Sequence, residues 1–185
     1  GTLRSDNPRL TTRLAGGEDP IRVVLDARAT VPTSANVYDT EISTAATILV
    51  TSGDADASHL GALEERGIEV VEAPSDEQGR FELEVVLREL ARRGISNVFV
   101  EGGARILGSL FDERLVDEVY AFVAPKLVGG EDAPSAVAGG GLEKMSDAIE
   151  LSDVDVEIVD QRDVLIHGLV PDAHRAWVET MPQQE

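Results

Sequence analysis

The chain has 185 residues, 42% of them hydrophobic, and a formal net charge of -19 at pH 7. That length suits one domain with a substantial core and excludes two large ones, while the charge argues against nucleic acid or an anionic membrane as partner. There is no cysteine, which rules out disulfides and thiolate metal sites and fits a reducing, cytoplasmic setting.

No apolar stretch approaches the roughly 20 residues of a membrane span. Basic residues are nearly all Arg, with Lys126 and Lys144 the exceptions. The acid excess fits either a coding bias or a salt-adapted surface. Any anionic ligand must therefore be held by locally placed Arg, Lys or backbone N–H groups.

Gly1 to Arg13 is polar and turn-rich, and Pro8 pushes Asn7 out of the helical region. A surface loop follows from Gly16 to Pro20. Ile21–Leu25 is short, apolar and β-branched, and is predicted to be a buried strand. Asp26 to Asn36, with Pro32 inside it, is predicted as loop, and Thr47–Thr51 as a second buried strand. Leu60 and Leu63 place a helix over Ser58–Arg66, with Gly67 as its C-cap. Ile68–Val71 is a third strand. Leu83, Val86, Leu87 and Leu90 follow i, i+3, i+4, i+7 spacing within a helix over Phe81–Arg93. Arg92 and Arg93 suit the negative end of its dipole, and Gly94 stops it. Asn97–Val100 is predicted as strand, Ala104–Asp112 as helix and Val116–Val123 as a long strand. Ala124 to Gly141 is loop. Glu150–Val159 and Val164–Val170 form an antiparallel pair joined by Asp160 to Asp163. The tail, Pro171 to Glu185, is polar, with Trp177 as its one candidate anchor.

Strands alternating with helices imply an α/β fold, a mostly parallel sheet covered on both faces, with the hairpin adding an antiparallel edge. Ligands bind such sheets at the carboxyl ends of strands. Three clusters satisfy that rule: Glu101-Gly102-Gly103, Asp26-Ala27-Arg28, and the segment Gly1 to Arg13. Adjacent glycines let a backbone approach a ligand closely, and the helix after them has unpaired N–H groups and a partial positive charge that favour phosphate. As a lone motif the pair equally describes a tight strand-to-helix turn. Gly-x-Gly-x-x-Gly and the P-loop pattern are both absent. His59, His167 and His174 have no metal-ligand neighbour at useful spacing, so no metal is expected. The acidic runs Asp54 to Asp56 and Ser152 to Asp155 are read as solvated surface.

Five motifs then occur in order: Gly1-Thr2 with Asp6-Asn7-Pro8-Arg9-Leu10-Thr11-Thr12-Arg13; Arg22-Val23-Val24-Leu25-Asp26; Val100-Glu101-Gly102-Gly103-Ala104; Leu115-Val116-Asp117-Glu118; and Ala124-Pro125-Lys126-Leu127-Val128-Gly129-Gly130. Together they resemble the reductase domain of riboflavin biosynthesis, the C-terminal half of the bifunctional deaminase/reductase, over residues 1–170. The resemblance implies a dihydrofolate-reductase-like three-layer fold. It also implies NADPH-dependent reduction of 5-amino-6-(5-phosphoribosylamino)uracil: the ribosylamine opens to an imine, and hydride reaches the sugar carbon. The archaeal and fungal type, which reduces the diamino-pyrimidinone before deamination, shares these motifs; Asp132-Ala133-Pro134-Ser135 leans toward the bacterial type. A non-catalytic NADP-binding or dimerisation module is the reading from a different class.

By the same resemblance, Leu10, Arg13 and Glu101 contact the phosphorylated pyrimidine. Arg13 suits its phosphate, and Glu101 suits ribose hydroxyls or ring N–H groups. Thr2 and Asp6 touch the cofactor, as do Ala27 and Arg28. Gly102, Gly103, Ala104, Arg105, Ile106, Leu107, Gly108 and Ser109 surround its pyrophosphate. Against these roles stand a surface salt bridge for Arg13 and an indirect position for Glu101. Ala27 departs from the family's usual Ser at the 2′-phosphate loop, where Arg28 can supply the charge instead. The family's leading strand, helix and strand, with a Ser-x-Asp-Gly segment, have no counterpart before Gly1. A fragment of a longer protein is therefore expected, with a zinc deaminase domain upstream and a homodimer as the assembly.

Overall fold

The structure is a computed structural model that describes residues 2–130, 133 and 135–171. The tail beyond Pro171, with His174 and Trp177, and most of the run from 131 to 134 lie outside the described residues. The chain divides into two compact units, Gly1–Phe99 and Val100–Glu185.

The first unit opens with a short helix, α1 (Thr2–Asp6), followed by the strands β1 (Arg22–Leu25), β2 (Thr47–Thr51) and β3 (Glu69–Glu72) and the helices α2 (Ala57–Glu64) and α3 (Leu83–Arg92). The strands form a parallel sheet in the order β1-β2-β3, with Val24 beside Leu49 and Val50 beside Val71. Every residue of β2 is buried, as expected of a central parallel strand covered on both faces. Alternation then divides the core. Leu49 and Val24 pack with Leu63 of α2, Val37 and Tyr38, while Ile48 and Val50 pack with Val71 and with Val86 and Leu90 of α3. Each fully buried aliphatic side chain contributes about 1.5–3 kcal/mol, so the two helices hold the sheet from opposite sides.

The predicted stops are in place. Gly67 and Gly94 take φ of 82° and 79°, and each N–H closes the preceding helix on a carbonyl, Glu64 O and Ala91 O. α2 begins where Asp56 accepts the Ser58 and His59 amides at 2.8 and 3.0 Å, the preferred N-cap arrangement.

The second unit contains α4 (Ala104–Asp112) and the strands β4 (Glu118–Val123), β5 (Ser152–Val159) and β6 (Asp163–Leu169). These strands form an antiparallel sheet in the order β4-β6-β5. The β5–β6 turn carries Asp160 and Gln161 at φ of 51° and 58°, the left-handed pair that a tight hairpin favours.

Two expectations change. Thr2–Asp6 is a helix rather than turn; the sequence shows no apolar period there, and Leu3 alone of α1 joins the core. Asn97–Val100 is not a strand. It has β-forming residues, and Phe99 is 68% exposed. Propensity alone does not make a strand.

Candidate active site

In the first unit, Asp26 leaves the carboxyl end of β1 and folds the following loop around its own carboxylate. Asp26 Oδ2 accepts the Val31 amide at 2.7 Å, and the Thr30 hydroxyl donates to Oδ1 at 3.2 Å. Ala27 is buried. Its carbonyl accepts the Ser52 amide at 2.9 Å, the Ser52 hydroxyl at 2.7 Å and the Thr51 hydroxyl at 3.0 Å. Arg28 is exposed beside it, and its Nη2 donates to Glu77 O at 3.1 Å.

The N-terminal segment docks on this loop. Asn7 Oδ1 accepts the Asn36 amide and Asn7 O accepts Asn36 Nδ2, both at 2.9 Å, while Arg4 donates to Thr30 O at 2.9 Å. Asn7 and Leu10 both sit at positive φ, 42° and 52°. Asn tolerates that region and Leu rarely does. Leu10 nevertheless packs against the core, which compensates for its backbone. Leu10 thus shares a core cluster with Ala29 and Val31 of the loop after β1, and Arg4 reaches Thr30 of that loop. Arg13 is exposed further along the segment.

In the second unit, Glu101 and Gly102 are exposed. Gly102 and Gly103 take φ of 70° and 88°, a region open to glycine at little cost. Gly103 is the N-cap of α4 and, having no side chain, makes no side-chain bond to the helix start. The first-turn amides of Ala104, Arg105 and Ile106 therefore have the geometry of an anion site. The Leu107 amide already bonds to Gly103 O at 3.0 Å. Gly108 faces another neighbour: a Cβ there would lie 2.0 Å from Ala138 O. That loop is fastened by Ala138 N to Ala104 O at 2.9 Å and by Gly140 N to Asp112 Oδ2 at 2.8 Å.

The histidines have other neighbours. His59 Nε2 lies 3.0 Å from Val31 O. His167 stacks on Tyr120 with ring centroids 4.4 Å apart. Among the described residues no cluster of His, Asp or Glu could hold a metal, and no helix is long and apolar enough to cross a membrane.

Sequence reasoning missed how Asp26 braces its loop and how Asn7 pairs with Asn36. It also missed Arg22, which is 1% exposed. Its Nη2 donates to Ala45 O at 3.2 Å and Ser43 O at 3.4 Å, while Nε and Nη1 have no partner among the described residues. The only available signal was an arginine opening a run of aliphatic residues.

The family model of the RibD C-terminal domain matches residues 1–165. This chain belongs to that family. It is 40% identical over 150 residues to the 2,5-diamino-6-ribosylamino-4(3H)-pyrimidinone 5′-phosphate reductase of Aquifex aeolicus, covering 81% of this chain and 65% of that one. It is 39% identical over 152 residues to the riboflavin biosynthesis protein RibD of Bacillus amyloliquefaciens, covering 82% and 40%. The chain thus spans less than two thirds of the length of these relatives. Among solved structures, the Thermotoga maritima diaminohydroxyphosphoribosylaminopyrimidine deaminase/5-amino-6-(5-phosphoribosylamino)uracil reductase superimposes with a TM-score of 0.67 at 29% identity, covering 91% of this chain and 43% of that one. Acinetobacter baumannii RibD gives 0.71 at 24% identity, covering 92% and 44%, a likeness of fold.

Proposed function

We propose that this chain carries the reductase activity of riboflavin biosynthesis, reducing the ribosyl group of 5-amino-6-(5-phosphoribosylamino)uracil to the ribityl chain with NADPH. The observation that carries this reading is the start of α4. Two left-handed glycines, the second the N-cap of α4 and without a side chain to bond its amides, precede the first helical turn, with the carboxylate of Glu101 immediately before them. When bound, the cofactor supplies hydride to the imine carbon of the opened sugar. The chain supplies placement. Gly103 to Ile106 present amides to the pyrophosphate, Glu101 accepts hydrogen bonds from the substrate, and Arg13 pairs with its phosphate. In the first unit Arg28 meets the 2′-phosphate, while Thr2, Asp6 and Leu10 belong to the same contact set. Residues 1–170 make up the reductase domain, one part of a longer protein with a deaminase upstream, working in the cytoplasm.

A second reading has its own support. The relatives named for the diamino-pyrimidinone substrate, from Aquifex aeolicus and Methanothermobacter thermautotrophicus, are 40% and 37% identical to this chain. Assay of both pyrimidines with NADPH in the full-length protein separates the two, and turnover of neither removes both. Glu101→Gln is expected to raise KM or lower kcat about tenfold, one lost charge-assisted hydrogen bond, with NADPH affinity intact. Gly103→Ala is expected to weaken NADPH binding; unchanged affinity places the pyrophosphate elsewhere.

Homodimerisation through the β4-β6-β5 sheet completes the proposal. Cross-strand register puts Val119, Ala121, Val123, Val156, Ile158, Val164 and Ile166 on one face. That face is wholly apolar, with Val123, Val156 and Ile158 between 51% and 72% exposed.

A further inference from the structure

The loop between β4 and β5 returns to α4 and lies along it as a strap over residues 135–141. Three contacts fasten it. Near the helix start, the Ala138 amide donates to Ala104 O at 2.9 Å. At the helix end, the Gly140 amide donates to Asp112 Oδ2 at 2.8 Å. Between them Gly108 is buried under the strap, where a Cβ would overlap the carbonyl of Ala138 and lie 2.7 Å from the Gly139 nitrogen. The clearance is reciprocal: a Cβ on Gly139 would lie 3.1 Å from Gly108 Cα and 2.7 Å from Asp112 Oδ2. The Ser135 hydroxyl donates to Val137 O at 2.7 Å and closes the strap on itself.

Glycine is a poor choice for a helix interior, and Gly108 is not among the glycines at positive φ. Its own backbone therefore does not require glycine. The close passage of the strap does, because two backbones meet where a side chain would stand.

The consequence falls on the first turn. Ala104 opens α4, and its carbonyl is tied to the strap, so the direction of the amides of Ala104, Arg105 and Ile106 depends on that tie. Donors already aimed at a ligand lose less freedom when it binds. Asp112 lies at the other end of α4, about 12 Å along the axis at 1.5 Å per residue. It is too far to touch a group held at the first turn, and acts on that turn through the strap.

We propose that the strap sets the orientation of the α4 start, with Gly108 and Asp112 as positioning residues for dinucleotide binding. The assignment rests on the reading of the α4 start as the pyrophosphate site. It transfers Gly108 from the set that touches the pyrophosphate to the strap that aims it.

The test is steady-state kinetics of the full-length protein with NADPH and whichever of the two pyrimidines it turns over. Gly108→Ala raises the helical propensity of α4 while displacing the strap, so a loss of affinity cannot come from a weaker helix. It is expected to raise the KM for NADPH about tenfold, and Asp112→Ala about fivefold, the scale of one or two hydrogen bonds. The KM for the pyrimidine and kcat stay at the parent values. Asp112→Asn, which keeps an acceptor for the Gly140 amide, recovers most of the loss. The double variant Gly108→Ala/Asp112→Ala is expected to reach no more than about tenfold, because either change releases the same strap. Losses that multiply to about fiftyfold would mean that Gly108 touches the dinucleotide itself, which overturns the proposal. Unchanged KM for NADPH in both single variants overturns the strap and leaves the pyrophosphate at α4. A matching rise in the KM for the pyrimidine also overturns it, because the effect would then pass through the fold at large. Absence of NADPH-dependent turnover in the unsubstituted protein removes the cofactor reading and the strap's role with it.

Discussion

Arg22 shows how one buried cation can hold a strand in place and still be costly. It opens β1, is almost fully covered, and bonds to two carbonyls of the 43–45 segment. Burial lowers its pKa from the ordinary arginine value, and the charges of Asp19 and Asp39 offset part of that. Asp19 is itself held below the usual carboxylate value by the Ser43 hydroxyl and then the Thr12 amide. Since no carboxylate among the described residues pairs directly with Arg22, most of its worth is its long apolar stem and its two carbonyl bonds. Replacing a buried charge with an apolar residue of similar volume is often neutral. Arg22→Met, which keeps the volume but loses the carbonyl bonds, is therefore expected to cost about 1–2 kcal/mol, and Arg22→Ala about 3–5 kcal/mol because it also leaves a cavity. Urea unfolding of the two variants checks this; equal losses would mean that the charge, not the volume, holds β1.

At the scale of elements, legibility followed partners. β2 and α4 stand where hydrophobic runs and breakers put them, and β1, β3 and α3 differ from expectation by a residue or two. Their signals are local, and their partners are equally apolar. Asn97–Val100 carries the same local signal and is not a strand, so propensity alone does not decide it. The candidate site divides the same way. Glycines at a helix start can be read from sequence, whereas the passage of residues 135–141 over Gly108 depends on a distant contact that the sequence does not display. Capping, by contrast, is both legible and testable. Asp56 is held below the usual aspartate value by the Ser58 hydroxyl, then by the His59 and Ser58 amides. A carboxylate depressed in the folded state binds fewer protons there than in the unfolded chain. Its contribution is complete above the unfolded value of about 3.9 and is lost as pH falls through the folded one. Asp56→Ala is expected to lower the urea midpoint at neutral pH, with the gap to the parent narrowing on acidification below pH ~4. Asp56→Asn, which caps without titrating, should show no such narrowing from this site. A gap constant with pH would remove the charge from the account.

For the whole molecule, two properties oppose each other. A net charge of -19 drives copies apart, while a three-stranded face without a polar side chain favours their association. Repulsion between exposed charges is screened over about 10 Å at 0.1 M salt and about 3 Å at 1 M, whereas apolar burial is not weakened by screening. Salt should therefore tip the balance toward the dimer. Sedimentation velocity across that salt range is expected to show the dimer fraction rising with ionic strength. Ile158→Glu, placed where the side chain is 72% exposed, should abolish the rise without unfolding the chain, because it adds a charge to an open position rather than to a packed one. An opposite trend, with salt dissociating the dimer, would mean that charge pairs rather than this face join the copies. A protein that stays monomeric at every salt concentration would remove the β4-β6-β5 face as the contact.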